Sequence, residues 1–268
     1  MARNISFDTV SEHIEQPLLS VRSVTRQFGG HTAVDAISFD LPKGSLTALI
    51  GPNGAGKTTL FNLIAGSLAP TRGEIRCAGE IIISPQNAYA LGIARTFQNV
   101  RLFPNMTVRE NIMTGMGATG FLQACLPTSR AWHEERLRMK KAFYLLQEAG
   151  VHALADQVAG GIPFGQQRLV EIARAMALKP RLLLLDEPAA GLNATETVAL
   201  SGLIRRLHDQ GTTVLLVEHD MSLVMNLAHR ILVLDRGALI FDGPPAEAQR
   251  DEKVCAAYLG TGGQPCSR

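Results

Sequence analysis

Short apolar runs recur along the chain and define its predicted β-strands. Such runs lie at Leu18–Val21, Ile37–Phe39, Ser45–Ile50, Arg181–Leu185 and Thr213–Val217. Continuous or alternating apolar residues over three to six positions, bounded by polar or turn residues, are typical of strands in a sheet. The third of these runs leads directly into a glycine-rich turn.

Apolar residues at helical spacing separate the strands. They predict one helix directly after the glycine-rich turn, a second over about 131–149, a third from Gly165 and a fourth around Glu196–Asp209. The third helix ends before Lys179, because the residue that precedes a proline usually leaves the helical conformation. A hairpin around Arg236–Gly237 follows the last strand. Strands that alternate with helices predict an α/β fold with a mainly parallel sheet.

The order of these elements predicts one domain with an insertion. We expect the domain to cover residues 18–260 and a mainly helical subdomain to be inserted at about 100–165. Residues 1–17 and 261–268 read as polar tails. At 268 residues, the chain has the length of one α/β domain that carries such an insertion.

Composition narrows the functional classes. The chain is 46% apolar with 25 glycines, which suits a packed globule, and its net charge of +2 gives no argument for a nucleic-acid partner. No apolar run approaches the length of a membrane span, and the acidic start, Met1–Gln16, does not resemble a signal peptide. We therefore expect a cytoplasmic chain. Its four cysteines lack CxxC spacing, which favours incidental thiols over a metal site.

A phosphate-binding motif, G-x-x-x-x-G-K-[ST], follows the third strand and precedes a helix. Its glycines let successive N–H groups point inward around an anion, at the positive end of the following helix. Lys57 would reach the β- and γ-phosphates, and the Thr58 hydroxyl would ligate Mg²⁺. The motif consists of Gly51, Pro52, Asn53, Gly54, Ala55, Gly56, Lys57 and Thr58.

Two carboxylates end the apolar strand that begins at Arg181. Asp186 and Glu187 come directly after it, and the carboxyl ends of parallel strands are where such sheets bind ligands. Asp186 fits the Mg²⁺ shell, while Glu187 is placed to orient the attacking water or accept its proton. The combination indicates a nucleotide hydrolase rather than a kinase, because no acceptor site for a second substrate is visible.

The order of motifs resembles the ATP-binding subunits of ABC transporters. After the phosphate loop come Gln98, in the phrase Arg-Thr-Phe-Gln, then the loop Phe164–Arg168, the acidic strand end and His219. The resemblance extends from about Leu18 to Gly260. It implies a P-loop NTPase core with an N-terminal antiparallel β part and an inserted helical subdomain, and it implies ATP and Mg²⁺ as ligands.

The resemblance also implies roles for single residues. Phe28 would stack on adenine, although an ordinary core phenylalanine is the alternative. Gln98 would contact Mg²⁺ or the attacking water, and His219 would hydrogen-bond the γ-phosphate. Thr59 joins the phosphate loop in contacting the nucleotide.

The family's signature loop, usually Leu-Ser-Gly-Gly-Gln, reads Ile-Pro-Phe-Gly-Gln here. In an ABC dimer this loop completes the partner's nucleotide site, so Phe164, Gly165 and Gln166 are expected to contact the partner's ATP. Pro163 has neither a hydroxyl nor an N–H, and the next loop ends in Asn193 where most members have Asp. We expect an active ATPase whose partner's site has one hydrogen bond fewer, a loss of about 1 to 3 kcal/mol at most.

Four phrases resemble the ATPases of branched-chain amino acid importers in particular. They are Phe28–Gly30, Gly92–Gln98, Ala189–Asn193 and Ala257–Gly260. Urea and amide importers and an envelope-lipid exporter have closely related ATPases and stay as alternatives. A soluble ATPase acting on ribosomes or DNA is disfavoured, because the chain has one cassette, no heptad run and no basic stripe.

The resemblance implies a set of partners and a place in the cell. These are a second ATPase subunit, expected to be a different chain, the membrane permease subunits, and indirectly a solute-binding protein. The chain would then lie on the cytoplasmic face of the membrane, and the pore would come from other chains. Val100, Leu102, Phe103 and Met106, which follow Gln98, either line a groove for a permease loop or form the core of the insertion.

Overall fold

A computed structural model describes residues 16–117 and 129–259. The predicted tails 1–17 and 261–268 lie, apart from Gln16 and Pro17, outside the described residues. None of the described helices is both long and apolar enough to cross a membrane.

The described strands form two sheets. The strands are β1 (Leu19–Phe28), β2 (His31–Leu41), β3 (Leu46–Ile50), β4 (Arg72–Cys77), β5 (Glu80–Ile81), β6 (Ile93–Arg95), β7 (Leu182–Asp186), β8 (Thr213–Val217), β9 (Arg230–Asp235) and β10 (Ala238–Gly243). Four antiparallel strands make the first sheet in the order β2-β1-β4-β5, and six strands make the second in the order β10-β9-β3-β8-β7-β6. The six-stranded sheet is parallel except for the antiparallel pair β9–β10 at its edge.

Helices cover the larger sheet and also make up much of the chain between β6 and β7. The structure confirms all four predicted helices, which are the helix after the glycine-rich turn and those at 131–149, from Gly165 and at Glu196–Asp209. Each predicted end lies within two residues of the observed one. The helices are α1 (Lys57–Ile64), α2 (Pro85–Ala90), α3 (Val108–Thr114), α4 (Ser129–Glu148), α5 (Phe164–Met176), α6 (Ala194–Asp209), α7 (Met221–Leu227), α8 (Pro245–Ala248) and α9 (Glu252–Leu259).

Both faces of the six-stranded sheet are buried, which explains the continuous apolar runs. Along β7, Leu183 and Leu185 belong to one hydrophobic core, whereas Leu182 and Leu184 belong to a second core on the other face. Successive side chains of a strand point to opposite faces, so a strand covered on both sides needs apolar residues at every position. Helices pack on the first face, and α1 with the antiparallel sheet packs on the second.

The apolar residues after Gln98 were expected either to line a groove for a permease loop or to form the core of the insertion, and neither alternative holds for all of them. Leu102 packs against the core, while Phe103 and Met106 are 52% and 37% exposed. Helix α3, which follows, begins with a capping box in which Thr107 and Glu110 bond each other's main chain. The limits of the helical subdomain, about 100–165, remain a prediction.

The parallel strands bring their carboxyl ends together at one edge of the sheet. β3 pairs with β8, and β8 pairs with β7, so that Leu49 and Asp186 both lie beside Val217. Consequently the loops that begin at Gly51, Glu187 and Glu218 meet at this edge, where ligands of open α/β sheets bind.

Candidate nucleotide hydrolysis site

The phosphate loop is built so closely against its neighbours that two of its positions require glycine. Gly51 has a φ of 149°, and a Cβ there would lie 2.1 Å from the carbonyl oxygen of Leu234. Gly56 has a φ of 100°, and a Cβ there would lie 2.4 Å from the carbonyl oxygen of Ala33. The loop therefore curls tightly before α1 begins, leaving main-chain N–H groups at the helix N-terminus to face an anion.

Lys57 folds back over this loop. Its Nζ donates to the carbonyl oxygens of Gly51, at 2.6 Å, and Pro52, at 3.0 Å. Burial lowers the pKa of the Lys57 amine, against the opposing effect of the Glu187 and Asp186 carboxylates. The cation thus lies poorly solvated at the loop, where a phosphate would give it better partners than two neutral carbonyl groups.

A pocket opens above the phosphate loop and contains most of the predicted nucleotide contacts. Phe28, at the end of β1, is 44% exposed, and the guanidinium of Arg26 lies 4.7 Å from the centre of its ring. Phe28 is therefore a rim residue rather than a core phenylalanine. The pocket is lined by Phe28, His31, Ala33, Asn53, Gly54, Ala55, Gly56, Lys57, Thr58, Thr59, Glu187 and His219.

The Glu187 carboxylate is held between two side chains from other segments. Nε2 of Gln98 donates to Oε2 at 2.9 Å, and Nε2 of His219 lies 2.7 Å from Oε1. Glu187 also has a φ of 47°, in the left-handed region, which is uncommon for a residue with a side chain. Sequence motifs 89 and 32 residues away thus meet at one carboxylate.

Asp186 is nearly buried and paired with an arginine that the sequence did not assign. Nη2 of Arg95 donates to Oδ2 of Asp186 at 2.8 Å, and Nη1 donates to the side-chain oxygen of Asn62 at 2.5 Å. Among the described residues, no group of three or more His, Cys, Asp or Glu side chains is arranged so that it could hold a metal ion by itself. Asp186 and the hydroxyl of Thr58 are nevertheless oxygen donors of the kind that Mg²⁺ prefers, with its remaining positions left to phosphate and water. The donor set fits a magnesium-bound nucleotide.

A second residue missed by the sequence reasoning fixes the main chain at Gln98. Arg168, in α5, is fully buried, and its guanidinium donates to the carbonyl oxygens of Phe97, at 2.7 Å, and Gln98, at 2.5 Å. It also donates to Oε2 of Glu171 at 2.9 Å, and Oε1 of Glu171 accepts the N–H of Arg101. The helix that follows the signature loop is thus joined to the segment that carries Gln98.

The signature-loop residues lie at the start of α5, and the pocket above the phosphate loop does not include them. Phe164 is 45% exposed, whereas Gly165 is buried against Glu196. A Cβ on Gly165 would lie 2.2 Å from Oε1 of Glu196. Asn193 caps α6 by accepting the N–H of Glu196, while the Glu196 carboxylate accepts the N–H of Asn193. Asn193 thus has a structural role that Asp would also fill.

Comparisons with known proteins agree with this geometry. Residues 34–190 match the family described as ABC transporter, and residues 238–263 match the family described as branched-chain amino acid ATP-binding cassette transporter. The chain is 42% identical to the high-affinity branched-chain amino acid transport ATP-binding protein BraF of Pseudomonas aeruginosa, over 92% of this chain and 99% of that protein. It is 40% identical to the corresponding protein LivG of Escherichia coli, with the same coverage.

Solved structures give the same result for the fold. An ATP-binding cassette of an ABC transporter in its ADP conformation superposes with a TM-score of 0.80 at 32% identity, covering 91% of this chain and 99% of that one. A nucleotide-free cassette superposes with a TM-score of 0.77 at 31% identity. The chain therefore belongs to the ABC transporter family, as one of its ATP-hydrolysing ATP-binding subunits.

Proposed function

We propose that this chain powers the import of branched-chain amino acids by hydrolysing ATP at Glu187. The observation that carries the proposal is the Glu187 carboxylate, which is held by Gln98 and His219 directly beside the phosphate loop. The likeness to BraF and LivG over almost the whole chain supports the choice of solute.

In the proposed binding step, ATP enters the pocket above the phosphate loop. The exposed ring of Phe28 stacks on the base, and the loop N–H groups surround the β-phosphate. Lys57 exchanges its two main-chain acceptors for phosphate oxygens, so that the buried cation gains negatively charged partners. Thr58 and Asp186 would hold Mg²⁺, and the chemistry that this ion would supply is neutralisation of the phosphate charge.

In the proposed hydrolytic step, Glu187 orients a water molecule and accepts its proton. A carboxylate is the acceptor-only group that this role requires, and its two oxygens already face Gln98 and His219. His219, on the side of the carboxylate nearest Oε1, is placed to donate to the γ-phosphate and to lose that contact when phosphate leaves. In this proposal, two ATPase subunits close over bound ATP and so drive the membrane subunits, and loss of the γ-phosphate contacts lets the dimer open again.

A second ATPase subunit completes the proposed site. Phe164 is exposed at the start of α5, outside the pocket that the phosphate loop lines, so one copy does not present both sets of contacts to a single nucleotide. A head-to-tail dimer would bring Phe164, Gly165 and Gln166 of each subunit to the other's ATP. The departure at Pro163 in the signature loop suits a pair of different chains.

The permease subunits would dock beside Gln98. A groove there is lined by Tyr89, Arg101, Phe103 and Arg174, among others, and both aromatic side chains are more than half exposed. An amphipathic permease segment would fit such a surface. The chain would then lie at the cytoplasmic face of the membrane and reach a solute-binding protein only through the permease.

Purification of the complex through a tag on this chain tests the proposal. The expected result is co-purification of membrane subunits and, after reconstitution, ATP-dependent uptake of leucine, isoleucine and valine. Uptake of urea or short amides, or export of lipid, would assign the chain to one of the related systems. Recovery of the chain with ribosomes or DNA and no membrane protein would contradict the proposal.

A further inference from the structure

Glu218, which precedes His219, is a buried acid to which the sequence motifs assign no role. Glu218 is only 4% exposed, and its carboxylate joins two segments of the site. Oε1 accepts the N–H of Ala189 at 2.8 Å, and Oε2 accepts the N–H of His219 at 3.1 Å. Ala189 lies two residues after Glu187, so this carboxylate connects the loop of Glu187 with the loop of His219.

The environment of Glu218 is unusual for an acid. Burial raises the pKa of this carboxyl, and the nearby Glu187 raises it further, while the N–H groups of Ala189, His219 and Asp220 lower it. Burying an acid among main-chain N–H groups carries a desolvation cost that an apolar side chain of similar size would not have. A carboxylate can nevertheless fix two loops firmly, because hydrogen bonds to a charged acceptor are shorter and stronger than neutral ones.

The two loops are joined by main chain only where they begin, through the N–H of Glu187, which donates to the carbonyl oxygen of Val217 at 3.0 Å. Glu187 has a left-handed backbone, and the next residue, Pro188, has no N–H to donate. Asp220 begins α7 by accepting the N–H groups of Ser222 and Leu223, which anchors the far side of His219. Beyond that main-chain bond, the Glu218 carboxylate connects Ala189 with His219, next to the contact between His219 Nε2 and Glu187 Oε1.

We infer that Glu218 is a positioning residue, which holds the His219 loop and the loop after Glu187 at the spacing that lets His219 and Glu187 act together. The inference rests on the proposed roles of Glu187 and His219. It predicts that Glu218 affects turnover through His219 rather than through ATP binding.

The test is a double-mutant cycle between Glu218→Gln and His219→Ala, measured as single-turnover hydrolysis by the complex purified through this chain. Gln has the shape of Glu, but its NH₂ group must face one of the N–H groups that the carboxylate now accepts. Loss of one such bond should lower the rate about ten-fold or more, with the Kd for ATP changed by no more than about two-fold. In the His219→Ala background, Glu218→Gln should change the rate less than about two-fold.

Either of two results would overturn the inference. One is a Glu218→Gln protein with normal turnover, and the other is an equal loss of turnover in both backgrounds, which would mean that Glu218 acts independently of His219. If Glu218→Gln does not fold, Glu218→Asp takes its place, because Asp keeps the charge but is too short to reach both loops. Failure of the proposed function would be seen separately, as normal turnover in His219→Ala or Glu187→Gln alone.

Discussion

The buried guanidinium of Arg168 donates a hydrogen bond to the main-chain carbonyl oxygen of Gln98, 70 residues earlier in the chain. Because the Gln98 side chain in turn donates to Glu187, a continuous set of contacts runs from the helix after the signature loop to the candidate catalytic carboxylate. A movement of α5 relative to the sheet would therefore shift the main chain at Gln98, and through the Gln98 side chain it would alter the contact with Glu187.

Replacing Arg168 should destabilise the protein mainly through the acid it leaves behind. Arg168→Leu removes the partner of Glu171, which is 2% exposed, and should lower the free energy of unfolding by about 3 to 5 kcal/mol. The double variant Arg168→Leu with Glu171→Leu should be less destabilised than the sum of the two single variants, since no unpaired charge remains. Urea denaturation measures both quantities. Additive losses would show that the pair does not act as a unit.

Lys57→Ala should weaken ATP binding by about ten-fold or more, because a charged hydrogen-bond donor is lost from the phosphate loop. Calorimetric titration of the purified chain with Mg–ATP gives the affinity. Lys43→Ala, which removes an exposed lysine outside the pocket, is the matched control and should bind ATP as the wild type does. Equal affinity in both variants would remove Lys57 from its assigned place.

The sequence predicted those parts of the site that consist of contiguous residues. The phosphate loop is one contiguous motif, and the strand before Asp186 is apolar at every position because both of its faces are buried. Arg168 ends the signature-loop phrase and Glu218 precedes His219, but their partners Gln98 and Ala189 lie 70 and 29 residues away, so only the folded chain reveals these contacts.

The same distinction explains which elements were missed. β4 reads Arg-Gly-Glu-Ile-Arg-Cys, and its charged residues hide the alternation that would mark a strand. α3 has seven residues, too few for a helical period to be visible. Its capping box, Thr107 with Glu110, was the signal that could have identified its start.

Gly165→Ala should destabilise the contact between α5 and the start of α6. The new Cβ would meet the Glu196 carboxylate, and moving that carboxylate away would weaken its bond to the N–H of Asn193. A loss of about 0.5 to 2 kcal/mol in the free energy of unfolding is expected, as for other lost helix caps. Gly161→Ala is the control, since nothing lies within 4 Å of a Cβ there and its φ is not positive. Equal stability of the two variants would contradict the packing described for Gly165.

Stability should depend on pH through Glu218. Burial raises the pKa of this carboxyl above its ordinary value of 4.5, so between 4.5 and the raised value the folded protein binds more protons than the unfolded chain. The contribution of Glu218 to the free energy of unfolding must then fall as pH rises through that range, by at most about 1.4 kcal/mol per pH unit. Urea denaturation of the wild type and Glu218→Gln at several pH values above 4.5 measures it. The wild-type value minus the variant value should decrease with rising pH, and a constant difference would mean that the pKa is not raised.

Hydrolysis by the Glu187→Gln variant tests the central claim most directly. Gln keeps the size of the side chain but cannot accept a proton from water, so turnover by the purified complex should fall by about 10²-fold or more. The affinity for Mg–ATP should stay within about three-fold of the wild type, and Glu252→Gln, an exposed change in α9, should leave turnover unchanged. Turnover at the wild-type rate in Glu187→Gln would contradict the assignment of this carboxylate as the catalytic base.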